Sequence, residues 1–267
     1  MATLVMLHAH PDDECLITGG SIAKLVAEGH RVVLVVATDG RHGEVPENLA
    51  PGETLIDRRR RELHASADTL GIARVEWLNY ADSGMTGWPQ NSAPEAFINA
   101  DVDVVAGRLA AIVREELSGG ARVALCTYDW HGNYGHPDHL MVHKVGHRAA
   151  ALAGIDEIYE CTLNRDFYVR SLAVAKQAGI DLDWDPEAPA DDGNPMGEPE
   201  SVITHHIDVR DYRHIKRAAI TCHASQVTDS SFFLDMSDEM FAMAFSTEWF
   251  IRVGAKAPDS RASLFDD

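Results

Sequence analysis

At 267 residues, 45% hydrophobic and 24% charged, the chain has a globular composition and enough length for one large α/β core. Forty-two acids against 23 basic residues leave a net charge of -19, which excludes nucleic-acid backbones and anionic membrane surfaces as general partners and favours a neutral or cationic small molecule. No run reaches the roughly 18–20 apolar residues of a membrane span and the N-terminus lacks a basic-then-apolar leader, so a cytoplasmic location is expected.

The predicted elements alternate. "TLVML" (residues 3–7) and "RVVLVVAT" (31–38) are continuous apolar runs around "LITGGSIAKLVAEGH", whose Ile17, Ile22, Leu25 and Val26 suit one helical face before Gly29 ends it. Such a βαβ unit implies a parallel sheet covered on both faces. "RRRRELHASADTLGI" reads as a helix and "RVEWLNY" as a strand; "VVAGRLAAIVREELSGG" and "RVALCTY" repeat the pair, as do "DHLMVHKVGHRAAALAG" and "IDEIYECTL". The expected fold is an α/β, Rossmann-like, doubly wound and mainly parallel sheet, with ligands bound beyond the carboxyl ends of its strands. After Arg165 the rhythm weakens: residues 183–201 read as an acidic, Pro-rich surface loop or flap, "VITHHIDV" as a strand, "DYRHIKRAAITCHASQ" as a helix, and the tail from Ala257 as frayed. We therefore expect a single domain, with a core over residues 1–165 and a smaller α+β portion over 166–267 packed on it.

Chemistry concentrates at two strand ends. "HAHPDDE" (residues 8–14) follows the first strand, and "TYDWHGNYGHPDH" (127–139) begins as the strand "RVALC" ends, so both clusters face one edge of a parallel sheet. If those strands are neighbours, His8, His10, Asp12, Asp13, His131, His136, Asp138 and His139 converge, and imidazole with carboxylate suits Zn²⁺ or a similar divalent ion. The four cysteines are widely separated and form no CxxC pair, which leaves nitrogen and oxygen as the available ligands. Pro137 suits a first helical turn, making His136 the cap and placing His139 at the third helical position. His143 and His147 continue the i, i+4 spacing from His139 but lie deeper along the helix, away from the strand ends.

Through "AHPDDE" (9–14), "YGHPDH" (134–139), "ADSGM" (81–85) and "KRAAITCHASQ" (216–226), the chain resembles the PIG-L/LmbE-like N-acetylglucosaminyl deacetylases. Within that family it looks most like the branch of the mycothiol-pathway deacetylase and the mycothiol-conjugate amidase, and the match spans residues 3 to about 226. The resemblance implies a zinc-dependent amide hydrolase with His10, Asp13 and His139 as metal ligands, Fe²⁺ or another divalent metal being an acceptable substitute. It implies Asp12 as general base, His136 facing the developing oxyanion, Asp138 orienting His136, and Tyr134 at the mouth of the site. Arg59, Glu44 and Asp82 fall where relatives contact a sugar. The implied partner is a small N-acylated molecule, with no nucleic acid and no membrane, and a homo-oligomer is compatible with the sequence.

These roles are chemically coherent. An amide is a poor electrophile and water a weak nucleophile, and a metal that acidifies water and polarises a carbonyl addresses both. Asp12 then needs only to take a proton, while a protonated His136, favoured by the Asp138 charge, stabilises the tetrahedral oxyanion. His8 reads as support beneath the site, Cys15 as a packing residue, and His223 as structural. Asp129 and His131 are candidates for lining the pocket. The alternatives are an amidase of a thiol conjugate or natural-product precursor, a catalytically idle metal-binding protein, and a dinucleotide binder. The last lacks G-x-G-x-x-G after its first strand.

Overall fold

The computed structural model describes residues 1–177, 179, 184–226, 236–256 and 263–265. Along the chain run β1 (Ala2–His8), α1 (Asp13–Ala27), β2 (Arg31–Thr38), α2 (Leu55–Leu70), β3 (Arg74–Tyr80), α3 (Val102–Ser118) and β4 (Arg122–Tyr128). There follow the short α4 (Gly132–Gly135), α5 (Pro137–Ala153), β5 (Ile158–Thr162), α6 (Arg165–Gln177), β6 (His205–Asp208), α7 (Arg213–Cys222), α8 (Asp238–Phe245) and β7 (Thr247–Arg252). The strands form one seven-stranded sheet in the order β3-β2-β1-β4-β5-β7-β6. β1 to β5 are mutually parallel, and β7 runs antiparallel between β5 and β6. The fold is the expected α/β sheet. The apolar runs explain its centre: every residue of β1 is buried, and so is all of β2 after Arg31.

Strand order decides where the site sits. β2 and β3 extend the sheet to one side of β1, whereas β4 pairs directly with its other side. The loops leaving β1 and β4 therefore diverge at the point where the winding reverses, which is where such sheets open a crevice. The two histidine–carboxylate clusters lie in those two loops.

The C-terminal part fastens the helix that carries the first cluster. Glu248 of β7 accepts the Gly20 and Ser21 N–H groups of α1 at 2.8 and 2.7 Å, while Lys216 of α7 donates to the Leu16 carbonyl at 2.8 Å and to Glu248 at 2.6 Å. This buried ion pair is spliced into the middle of α1. A glycine is needed at position 20, because a Cβ there would lie 2.6 Å from Val209. Sequence periodicity does not reveal α6, α8 or β7, "TEWFIR". The expected fraying of the tail does not hold at residues 263–265: Leu264 and Phe265 are buried, and the Leu264 carbonyl accepts from Tyr159 Oη at 2.5 Å. Residues 257–262 and 266–267 of that tail lie outside the described residues, as does Asp183 of the acidic loop.

Candidate active site

The first motif is built around one strained residue. Pro11 bars the α region for His10, so β1 cannot run on into a helix. Asp12 takes φ 117°, ψ -28° as the N-cap of α1, a conformation costing about 1–3 kcal/mol for a non-glycine residue. Three contacts hold it. Arg59 Nη2 donates to Asp12 Oδ2 at 2.9 Å and also to the Pro11 carbonyl, and the Asp12 N–H donates to Glu14 Oε2 at 2.9 Å. The turn separates two adjacent carboxylates by partner. Asp13 Oδ2 accepts the His10 N–H at 2.8 Å and stands 3.4 Å from His10 Nδ1 and 3.5 Å from His139 Nε2. Burial opposes the Asp13 anion, but His139 and His10 outweigh it and hold its carboxyl well below the usual range. For Asp12 burial prevails over the Arg59 cation and pushes the carboxyl up to about 6.

The second motif is a helix start. α5 begins at Pro137, as expected, and His136 caps it, with its Nδ1 accepting the Asp138 N–H at 3.1 Å. That acceptor role places the proton of the neutral ring on Nε2. Burial, with His10 and His139 adding to it, pushes the His136 pKa down. His139 Nδ1 lies 3.2 Å from the Gly132 carbonyl and donates to it, which leaves Nε2 as a buried nitrogen without a hydrogen-bond partner. Gly132 must be glycine for this approach: its φ is +64° and a Cβ would stand 2.4 Å from that of His139. Tyr134 packs edge-on against His139, ring centres 4.9 Å apart.

Two donor–donor edges among His10, Asp13 and His139 fit a divalent ion. Metal–ligand bonds of about 2.0–2.2 Å imply tetrahedral donor–donor edges of roughly 3.3–3.5 Å. The separations of Asp13 Oδ2 from His10 Nδ1 and His139 Nε2, 3.4 and 3.5 Å, match those edges. An unpartnered buried imidazole nitrogen beside a carboxylate is what a ligand lacking its ion looks like. His136 joins His10 and His139, with donor atoms within 4.8 Å of one another, and Asp82 and Asp138 gather likewise around His10.

Several expected roles are redistributed. Asp138 does not orient His136 through its carboxylate: Oδ2 lies 3.2 Å from His10 Nε2 and accepts the Ser83 N–H at 2.9 Å, and Oδ1 accepts from Ser83 Oγ. Only its backbone N–H reaches the His136 ring. Arg59 is buried beneath the first motif, where its Nη1 donates to the Gly40 carbonyl at 2.8 Å and its Nη2 braces Asp12. Asp82 is also buried, with Oδ1 3.6 Å from His10 Nε2, and burial notwithstanding, His10 holds its carboxyl far below the usual range. Glu44 is half-buried in the loop after β2, and Gln226 grips its backbone at 3.1 and 3.0 Å. Asp129 and His131 are buried and held by the fold: Asp129 accepts from Asn133 N and Thr162 Oγ1, and His131 sits 3.2 Å from the Gly197 carbonyl and 3.5 Å from Asp192. His131 pins the acidic loop to the rim, as do Asp191 N to the Tyr134 carbonyl and Gly197 N to the Asn133 carbonyl.

Residues 5–150 match the family model described as PIG-L, GlcNAc-PI de-N-acetylase. The chain belongs to this family. It is 35% identical, over 93% of its length and 88% of the relative's, to the 1D-myo-inositol 2-acetamido-2-deoxy-alpha-D-glucopyranoside deacetylase of Acidothermus cellulolyticus. The protein so named in Streptomyces avermitilis is 36% identical, over 98% of this chain and 96% of the relative. Among solved structures, the N,N'-diacetylchitobiose deacetylase of Pyrococcus horikoshii shares the fold, with a TM-score of 0.60, 23% identity, and coverage of 94% of this chain and 83% of that one.

As a member of the PIG-L family the chain carries support that the motifs alone do not reveal. His8 is buried between Tyr128 Oη at 2.9 Å and Thr18 Oγ1 at 3.0 Å, and burial lowers its pKa to about 4. Tyr128 in turn lies against the His139 ring, centres 4.5 Å apart. Glu14 is fully buried against His223 Nε2 at 2.7 Å and Ser66 Oγ at 2.5 Å, which ties the first motif to α2 and to the segment after α7. Cys15 is buried and its thiol pKa is raised by burial, which agrees with a packing role. Ser83 was discoverable within "ADSGM", one residue past Asp82, but a lone serine in a turn carries no chemical signal.

Proposed function

We propose that the chain is a divalent-metal-dependent N-deacetylase acting in the cytoplasm on a small N-acetylated amino sugar, a glucosamine joined to an inositol being the leading candidate. The observation that carries this reading is Asp13 Oδ2 standing between His10 Nδ1 and the unpartnered His139 Nε2, with Asp12 alongside. The names and 35–36% identities of the two relatives support the substrate class. The four cysteines are free thiols, in keeping with a reducing compartment. Among the described residues no helix is long and apolar enough to cross a membrane.

In this reading His10, Asp13 and His139 hold the metal, with Zn²⁺ the first candidate and Fe²⁺ an alternative. When bound, the ion supplies Lewis acidity toward the acyl carbonyl and toward water. Asp12, free of the ligand set and held by Arg59, takes a proton from the attacking water as its oxygen bonds to the carbonyl carbon. His136 donates its Nε2–H to the oxygen of the tetrahedral adduct as a neutral imidazole, since the Asp138 N–H occupies Nδ1. The C–N bond then breaks, Asp12 returns its proton to the departing amine, and acetate is released. Asp138 and Asp82 steady the far nitrogen of His10, a carboxylate–imidazole pairing that fixes ring orientation.

The test strips the purified protein with a chelator, restores Zn²⁺, Fe²⁺ or Co²⁺, and follows acetate release from N-acetylglucosaminyl-inositol. Metal-restored release is expected. Cleavage of thiol-conjugate amides without acetate release from any N-acetylated amino sugar would transfer the same machinery to the amidase alternative.

A further inference from the structure

α5 carries a second nitrogen–oxygen cluster, separate from the first. His143 and His147 stand one turn apart on the face that crosses β5, and Glu160 of β5 meets both: its Oε1 is 3.3 Å from His143 Nδ1 and 2.7 Å from His147 Nε2. The two rings are 4.5 Å apart. β5 is an interior strand, paired with β4 and β7, and its neighbours Tyr159 and Cys161 are buried on the opposite face. A carboxylate at such a position requires a charged or metallic partner. The His143 and His147 side chains are 22% and 32% exposed, so an ion from solvent can reach them.

We propose that His143, His147 and Glu160 form a second divalent-cation site, selective for the nitrogen-preferring ions Zn²⁺, Ni²⁺ and Cu²⁺. Two imidazoles at i, i+4 on one helix face with a carboxylate opposite give the mixed donor set these ions take. Donor atoms of all three residues already lie within 4.8 Å of one another. In the ion-free state Glu160 accepts from His147 Nε2 and lies 3.3 Å from His143 Nδ1, which donates to the Tyr128 carbonyl at 3.0 Å. A cation replaces those shared protons. Because its donors reach solvent and are satisfied without metal, this site is the weaker and more exchangeable of the two. It does not rest on the catalytic reading, since none of its residues touches His10, Asp12 or Asp13.

Untagged full-length protein, stripped by chelator, is titrated with Zn²⁺ and with Ni²⁺ under equilibrium dialysis as wild type, His147→Ala, Glu160→Gln and Asp13→Ala. Wild type should take up two equivalents, the second more weakly. His147→Ala and Glu160→Gln should each weaken that second equivalent by more than the tenfold or so that loss of an outer partner costs, with turnover at one equivalent unchanged. Asp13→Ala should retain it. With Cu²⁺, the electron paramagnetic resonance signal of the second equivalent in Asp13→Ala should lose one coupled nitrogen when His147→Ala is added, His143 supplying the one that stays. Wild type that saturates at one equivalent up to millimolar metal overturns the proposal, as does His147→Ala or Glu160→Gln that binds the second equivalent as tightly as wild type.

Discussion

α5 presents the same residue types at its first turn and again one and two turns further on, yet the two regions differ in which atoms are already committed. At the N-terminus the backbone takes one nitrogen of each ring: Asp138 N–H occupies His136 Nδ1, and the Gly132 carbonyl occupies His139 Nδ1. Nε2 of His139 is thereby left buried and unpartnered beside Asp13. Further along, Glu160 satisfies His143 and His147 while both remain partly open to solvent. The lesson is that histidine spacing by itself does not define a catalytic centre. A helix start does, because its unpaired N–H groups and the loop before it fix the tautomer and direction of each ring.

Substitutions can break or sharpen that contrast. His139→Ala should abolish the buried site, lowering turnover by more than about 10⁴-fold, whereas His147→Ala should leave it within about twofold; steady-state assays at one metal equivalent compare them. His136→Ala should lower kcat by about 10²–10³-fold while metal content holds, the loss expected of one oxyanion donor. Asp138→Asn should weaken metal binding by about 10–100-fold through His10; a pure kcat effect with unchanged metal affinity would return Asp138 to His136. Gly132, at the start of α4, and Gly154, which caps α5, extend the comparison to stability. Gly132→Ala meets both a positive φ and His139 and should cost about 2–4 kcal/mol in denaturant unfolding. Gly154→Ala faces open space at φ +76° and should cost only about 1–2 kcal/mol.

Much of this was legible in the sequence because the signals are local and redundant. Continuous apolar runs mark β1, β2 and β4, and the His-Pro-Asp motifs occur where those strands must stop. Pro137 by itself locates the start of α5. The antiparallel β7 was not legible, because its place between β5 and β6 is set by long-range pairing and by Glu248 reaching α1, neither of which leaves a periodic trace. The same limit applies within the site. Asp138 and Arg59 lie in readable motifs, but which neighbour each grips depends on side-chain direction: Asp138 turns to His10 and Ser83, and Arg59 turns inward to Asp12. The tautomer of His136 likewise follows from a cap hydrogen bond, and it changes the expected imidazolium to a neutral donor.

In the proposed mechanism two adjacent carboxylates, split by the strained turn at Asp12, do different work. Metal content after dialysis and turnover, measured side by side for Asp12→Ala and Asp13→Ala in a His147→Ala background, test it directly. Asp12→Ala should retain its metal and lose about 10²–10⁴-fold in turnover, while Asp13→Ala should lose both. Metal loss from Asp12→Ala as complete as that from Asp13→Ala would contradict the division.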